Sequence, residues 1–270
     1  MSNRVEYSSP VALSNVPSGA IWQNMPMDDI IIHGRGRHYF NDFDVYAPTF
    51  ATATAQCGMI TYQDTGVTVK PIATDFNGVL EIAGADADND EGSIQFGVTT
   101  AVYAKIASTA GKKLAFEMRV KNNSAALTDS AFFVGLAEEG TAIADILVND
   151  TGVLKTTADF IGFRTLCASP SELDTIYQKA SQTPVEPDDN ITTLVAGTWY
   201  KLGLLFDPSN AAKAIRYFVD GVEVASVAAS ALDDATFPDG EEMAMLVALK
   251  AGEAVEKKLH IDWVKFAQEA

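Results

Sequence analysis

From about residue 66 onward, apolar and polar residues alternate along the chain in short runs. The clearest run is 113–121, where Leu114, Phe116, Met118 and Val120 are interleaved with Glu117, Arg119 and Lys121. A period of two is that of a strand with one buried face. The same alternation puts Tyr200, Leu202, Leu204 and Phe206 on one face, and Ile215, Tyr217 and Val219 follow suit in the next run. Between Val219 and Val222, Asp220-Gly221 predicts a tight turn, because glycine accepts a positive φ that other residues resist. Further strands are predicted at 67–73, 78–83, 93–98, 131–137, 159–166, 175–179, 243–250 and 258–266. Pro71 marks the first of these as an edge. Residues 84–92 and 181–190 read as loops. In 141–147, Ile143, Ile146 and Leu147 fall on one helical face, which predicts a short helix. The pattern contains no long amphipathic helix, internal repeat or low-complexity tract. Short strands with turn signals between them indicate an all-β, two-sheet antiparallel sandwich.

Residues 1–65 follow a different pattern. Pro10, Pro17, Pro26 and Pro48 punctuate them, Ile30-Ile31-Ile32 reads as a single strand, and 47–55 is small and polar. This predicts an N-terminal arm or irregular subdomain over 1–65 and a sandwich over 66–270. Two readings of the arm stand side by side. It docks on a neighbouring molecule, becoming ordered there, or it wraps its own domain and adds an outer strand.

Composition narrows the partners. The 270 residues suffice for one large β domain with an extension, and a hydrophobic content of 47% supports a real core. Nineteen Lys and Arg stand against 36 Asp and Glu, a formal net charge of −17. Phosphate neutralisation needs clustered cations, so nucleic acid and anionic membrane are disfavoured as partners. Cys57 and Cys167 are far apart and read as free thiols, which fits synthesis in a reducing cytoplasm. The N-terminus lacks the apolar stretch of a secretory leader, and no window approaches the ~18 apolar residues of a membrane span.

Several fragments in order carry a resemblance: Asn89-Asp90-Glu91, 114–121, Phe133-Val-Gly-Leu-Ala137, Ile161-Gly-Phe163, Gly197-Thr-Trp-Tyr-Lys-Leu202, Tyr217-Phe-Val-Asp-Gly221 and Ile261-Asp-Trp-Val264. Over residues 66–268 the chain resembles the concanavalin A-like, laminin-G-like jelly-roll family, and within it the form found in virion proteins of tailed bacteriophages. The resemblance implies a capsid decoration (cement) protein or head-fibre part on the outer capsid surface. It implies the major capsid protein as partner, a homo-oligomer with a trimer favoured, and synthesis in the host cytoplasm. The arm would then bind the capsid or clasp a neighbouring subunit.

A fold of this kind hosts lectins, glycosidases and structural proteins alike, so the sites must decide. Hydrolases of the family carry Glu-x-Asp-x-x-Glu or a close variant, since a retaining pair of carboxylates must flank the sugar bond. No such triplet occurs here; Glu81, Glu117 and Glu223 are isolated. His33, His38 and His260 lie in no nucleophile motif. No catalytic residue is therefore expected, and the chain reads as a non-enzyme. Asp86, Asp88 and Asp90 have the spacing of a Ca²⁺-wrapping loop, but Glu91 and Gly97 break the EF-hand pattern. Either a different kind of Ca²⁺ site or an acidic turn fits. No other cofactor is expected. Trp22, Arg35 and Arg37 are candidate partner-binding residues: an aromatic anchor and a cationic spot within His33-Gly-Arg-Gly-Arg-His38. Packing on the chain's own domain and a solvated turn are the plainer alternatives for them. Trp199 and Trp263 read as core, and His260 as a hydrogen-bonded strand residue. The alternative to the virion role is a lectin-like module, or a tail or fibre component, that binds host glycans.

Overall fold

A computed structural model describes residues 15–43, 58–72, 78–97, 104–109 and 111–270. Two short helices, Gly19–Trp22 (α1) and Met27–His33 (α2), precede the strands. These are Gly36–Asn41 (β1), Met59–Gln63 (β2), Thr68–Ile72 (β3), Val79–Ala83 (β4), Glu91–Phe96 (β5) and Ala104–Lys105 (β6). Next come Leu114–Asn122 (β7), Ser130–Glu138 (β8), Phe160–Leu166 (β9), Ser169–Gln178 (β10) and Thr192–Thr193 (β11). Tyr200–Phe206 (β12), Ile215–Val219 (β13), Val222–Val227 (β14), Glu242–Ala251 (β15) and Lys258–Glu269 (β16) complete the order. None of the described helices is long and apolar enough to cross a membrane.

The strands form two antiparallel sheets. The first runs β14-β13-β12-β7-β16-β4-β3, with β1 added to β16; the second runs β11-β10-β9-β8-β15-β5-β2, with β6 added to β15. Alternation explains why they stack. Phe116 and Met118 of β7, Leu204 and Phe206 of β12, and Phe266 of β16 share one core with Phe96, Leu136, Phe163 and Val247 of the second sheet. Phe163 meets Tyr217 edge-on across the two sheets at 5.5 Å between ring centroids, the geometry that aromatic quadrupoles favour. The expected all-β jelly-roll sandwich is thus the observed one. Asp220 and Gly221 both adopt positive φ, 50° and 80°, and close the two-residue hairpin between β13 and β14. Pro71 lies in β3, at the sheet edge.

Three expectations change. Ile30-Ile31-Ile32 is helical, not a strand: Asp28 and Asp29 occupy the first turn, Gly34 takes the left-handed conformation at the C-cap, and Ile30 is the helix's buried residue. Residues 141–147 form no helix. Glu91 takes the backbone N–H groups of Ile146 and Leu147, and Leu147 bridges to Leu154. Strands also arise within the stretch assigned to the arm. β1 pairs with the end of β16, and β2 pairs with β5. Residues 15–43 thus pack on and pair with the chain's own sandwich. Cys57, residues 51–55 and residues 1–14 lie outside the described residues.

Candidate functional site

The space between the sheets is filled by side chains, so any site must lie on an outer face or at an end of the sandwich. On the first sheet's outer face, β7 turns Ala115, Glu117, Arg119 and Lys121 outward. The N-terminal segment covers the half around Glu117. Glu117 Oε2 accepts hydrogen bonds from Ser18 N (2.8 Å) and Trp22 Nε1 (2.7 Å). Burial pushes the Glu117 carboxyl up, and the Ser18 and Trp22 donors oppose the shift. Ile21, Trp22, Met25 and Ile30 pack on Ala115, Leu205, Phe218 and Ala267. Gly203 makes this approach possible, because a Cβ there would lie 2.2 Å from Ile21 Cδ1. Lys265 Nζ sits 4.1 Å from the centre of the Trp22 ring. Lys201 Nζ donates to the Val16 carbonyl and Trp263 Nε1 to that of Asn15.

The other half of this face carries a row set by strand register. Lys121 pairs with His260, His260 with Glu81, and Glu81 with Lys70. Trp199 closes the row, its ring centre 4.5 Å from Lys121 Nζ and 4.6 Å from Arg119 Cζ. A bulge in β16 between Ile261 and Trp263 turns both Asp262 and Trp263 outward. The carboxylates here are engaged: Glu81 Oε2 lies 2.9 Å from His260 Nε2, and Asp262 Oδ2 lies 2.5 Å from Arg119 NH1. Trp199 is half-buried on this outer surface, and Trp263, though buried, also sits outside the inter-sheet core. His260 is a hydrogen-bonded strand residue, as its alternation implied, its partner being Glu81 of the neighbouring β4.

The second sheet's outer face is roofed by residues 139–158. Ala142, Ile146, Leu147 and Leu154 pack on Ile60, Phe133, Phe160 and Leu246. Beneath the roof, Glu91 and Lys250 are both fully buried, Nζ to Oε2 at 3.4 Å, and Asp145 Oδ2 lies 3.4 Å from the same Nζ. Glu91 accepts from Ile146 N (2.6 Å) and Leu147 N (2.9 Å). Burial raises its carboxyl to about 7, against the pull of Lys250 and the two amides. Desolvation lowers Lys155, whose Nζ donates to the Thr141 carbonyl. A carboxyl near 7 is a suitable proton donor or acceptor at neutral pH. Enclosed by the roof, this one serves to hold the covering segment.

The predicted residues are scattered. Asp86 Oδ1 accepts from Glu256 N (3.1 Å), Asp90 Oδ2 accepts from Ala85 N (3.1 Å), and Asp88 is exposed. Two of the three carboxylates thus cap backbone amides, and among the described residues no group of three His, Cys, Asp or Glu side chains is placed to hold a metal ion. Trp22, assigned as a partner anchor, is 8% exposed and anchors its own chain instead, because its indole N–H satisfies Glu117. Arg35 and Arg37 are exposed, away from the Asp loop. Cys167 is a free thiol, buried, its pKa raised by desolvation to about 11. The sequence pattern gives Glu91, Glu117 and Lys250 no role in holding a covering segment. The one signal was an acid or lysine inside or beside an apolar run.

No known sequence family matches the chain, and no curated protein matches it. Solved structures do. It is similar to an endo-1,3-β-glucanase from Streptomyces sioyaensis, with 14% identity and a TM-score of 0.56 over 86% of this chain and 95% of that one. An endo-β-1,4-glucuronan lyase from Trichoderma reesei gives 12% identity and a TM-score of 0.55, over 84% and 94%. The carbohydrate recognition domain of Emp47p gives 10% and 0.51, over 88% and 98%. The class is therefore the concanavalin A-like jelly-roll sandwich. At these identities the likeness defines the fold alone, and the fold is shared by hydrolases, lyases and lectins.

Proposed function

We propose that this chain is a non-enzymatic structural protein of a tailed-bacteriophage virion, a decoration component that binds the major capsid protein on the outer shell surface. One observation carries the non-enzymatic part. Four carboxylates of the outer faces that could act as acid or base are hydrogen-bonded, ion-paired or covered by the chain's own segments. Glu91 and Glu117 are covered, and Glu81 and Asp262 are engaged. The virion part rests on the ordered resemblance of residues 66–268 to phage jelly-roll proteins. A charge of −17 suits a surface that must stay soluble at high copy number. The test is quantitative mass spectrometry of gradient-purified particles from the source. Copies near those of the main shell protein are expected; absence from particles would overturn the reading.

The Trp199 row favours a second reading, a glycan-binding module. A half-buried aromatic beside Arg119, Lys121 and His260 suits stacking and hydrogen bonding to an acidic sugar, and the neighbours include a carbohydrate recognition domain. A glycan array with wild-type protein and Trp199→Ala tests it. Binding that the substitution removes supports this reading; no binding rejects it.

A further inference from the structure

Lys250 follows directly on the apolar run 243–249, and the register of β15 sets it between Glu91 of β5 and Ala131 of β8. Its side chain is fully buried, and so is that of Glu91. Two carboxylates converge on its Nζ: Glu91 Oε2 and Asp145 Oδ2, each at 3.4 Å. A buried ion pair of this kind holds a fold no better than well-packed apolar residues of similar volume. Apolar packing is already present beneath the roof, where Ala131, Ile146, Leu147 and Ala248 share one cluster. Lysine, glutamate and aspartate together thus exceed what fastening the roof requires.

An amine held against one carboxyl group, with a second carboxyl group to carry protons, can form an amide. The two reacting side chains stand 105 residues apart in the chain, Asp145 in the roof and Lys250 in β15. Reactive groups fixed at about 3–3.5 Å need little further loss of freedom to react, and the Asp145 carboxyl carbon is one bond from the oxygen at 3.4 Å. Glu91 is held in place, since Ile146 N and Leu147 N bind its two oxygens at 2.6 and 2.9 Å. Burial raises its carboxyl to about 7, so it can both take and return a proton at neutral pH. The Asp145 side chain is 46% exposed, which gives a released water a way out.

We propose that Lys250 and Asp145 condense into an isopeptide bond, with Glu91 as the proton carrier, so that the roof becomes covalently stapled to β15. The ion pair described above is the state before condensation. The Lys250 ammonium first gives a proton to the Asp145 carboxylate. The neutral Nζ then attacks Cγ, and the Nζ–Cγ bond forms. Glu91 takes a proton from the attacking nitrogen and passes it to the leaving oxygen; the Cγ–O bond breaks and water departs. One amine and one carboxylic acid give one amide and one water, and Glu91 ends as it began. No oxidant, reductant or co-reactant enters. The step happens once per chain on the chain's own residues, so it requires no substrate site. It stands independently of the virion role, since it is measured on the pure protein.

Intact-mass spectrometry of the purified full chain, followed over days of incubation, tests it. The wild-type chain is expected to become lighter by one water, and a protease digest is expected to yield a branched peptide joining Lys250 to Asp145. Glu91→Gln keeps both reacting groups and loses the proton carrier, so condensation is expected to slow by about a hundredfold or more. Asp145→Asn is expected to lose ammonia instead of water and reach the same final mass as the wild type. Asp145→Ala is expected to keep its full mass; because Asp145 is partly exposed, this variant spares the buried pair, and circular dichroism checks that each variant folds. A wild-type chain that keeps the full mass of its sequence overturns the proposal. So does a water loss that maps elsewhere, such as a succinimide at Asp220-Gly221 or Asp239-Gly240. Condensation at the wild-type rate in Glu91→Gln would overturn the role given to Glu91.

Discussion

The two covers of the sandwich solve one problem with different means. Residues 15–30 lie on the first sheet and 139–158 on the second, and each is held by a buried glutamate that projects from a strand and accepts two N–H groups of the cover. Glu117 has no ion-pair partner in contact among the described residues; its donors are one amide and the Trp22 indole. Glu91 has two adjacent amides and, in addition, the fully buried Lys250. A carboxylate on an outward strand position can therefore act as a latch instead of a reactive group. The lysine makes the second latch costlier to damage, because removing either partner strands a charge out of water.

The largest effect should come from breaking the stronger latch. Lys250→Met is expected to destabilise the protein by about 3–5 kcal/mol, read by chemical denaturation, with Glu91→Met in the same chain recovering part of the loss. A single variant as stable as wild type would erase the distinction between the covers. Next is pH. Because the folded state holds the Glu91 proton more tightly than the unfolded chain, its contribution is complete below about 4.5 and lost as pH rises to about 7. The loss is roughly 3 kcal/mol at about 1.4 kcal/mol per unit. Glu91→Gln should remove this slope, and an unchanged slope would assign it to other groups.

Glu117→Ala should cost about 2 kcal/mol by leaving the Ser18 amide and Trp22 indole unsatisfied, and limited proteolysis should then cut first near residues 15–30. Cleavage elsewhere would separate Glu117 from the cover it is said to hold. The smallest effect belongs to the Asp loop. Asp86→Asn is expected to change stability by about 0.5 kcal/mol or less, and Ca²⁺ or chelator should leave the melting midpoint unmoved. A saturable Ca²⁺-dependent rise in that midpoint would contradict the placement of these carboxylates.

Legibility followed periodicity. Runs such as 113–121 and 200–206 declared themselves because one face is buried between sheets, and a period of two records that burial. The covers did not, because their burial is one-sided and irregular. Ile30-Ile31-Ile32 looked like a strand by composition, while a helix with Ile30 inward satisfies it. Ile143, Ile146 and Leu147 suggested a helix by spacing, but Glu91 took the amides that a helix would have used. Glu117 read correctly as outward-facing, yet outward did not mean exposed, since the cover arrives from 99 residues away in the chain. Trp199 had the strand context of a core residue and sits outside the core, because its strand begins one residue later.

Hydrogen exchange resolved at single amides tests the central claim, that buried glutamates latch both covers. The amides of Ser18, Ile146 and Leu147 should exchange slowly in the wild-type protein. Glu117→Gln should speed Ser18 alone, and Glu91→Gln should speed Ile146 and Leu147 alone. Rapid exchange of these amides in the wild type, while β7 and β15 stay protected, would mean that the covers are open and the outer faces accessible.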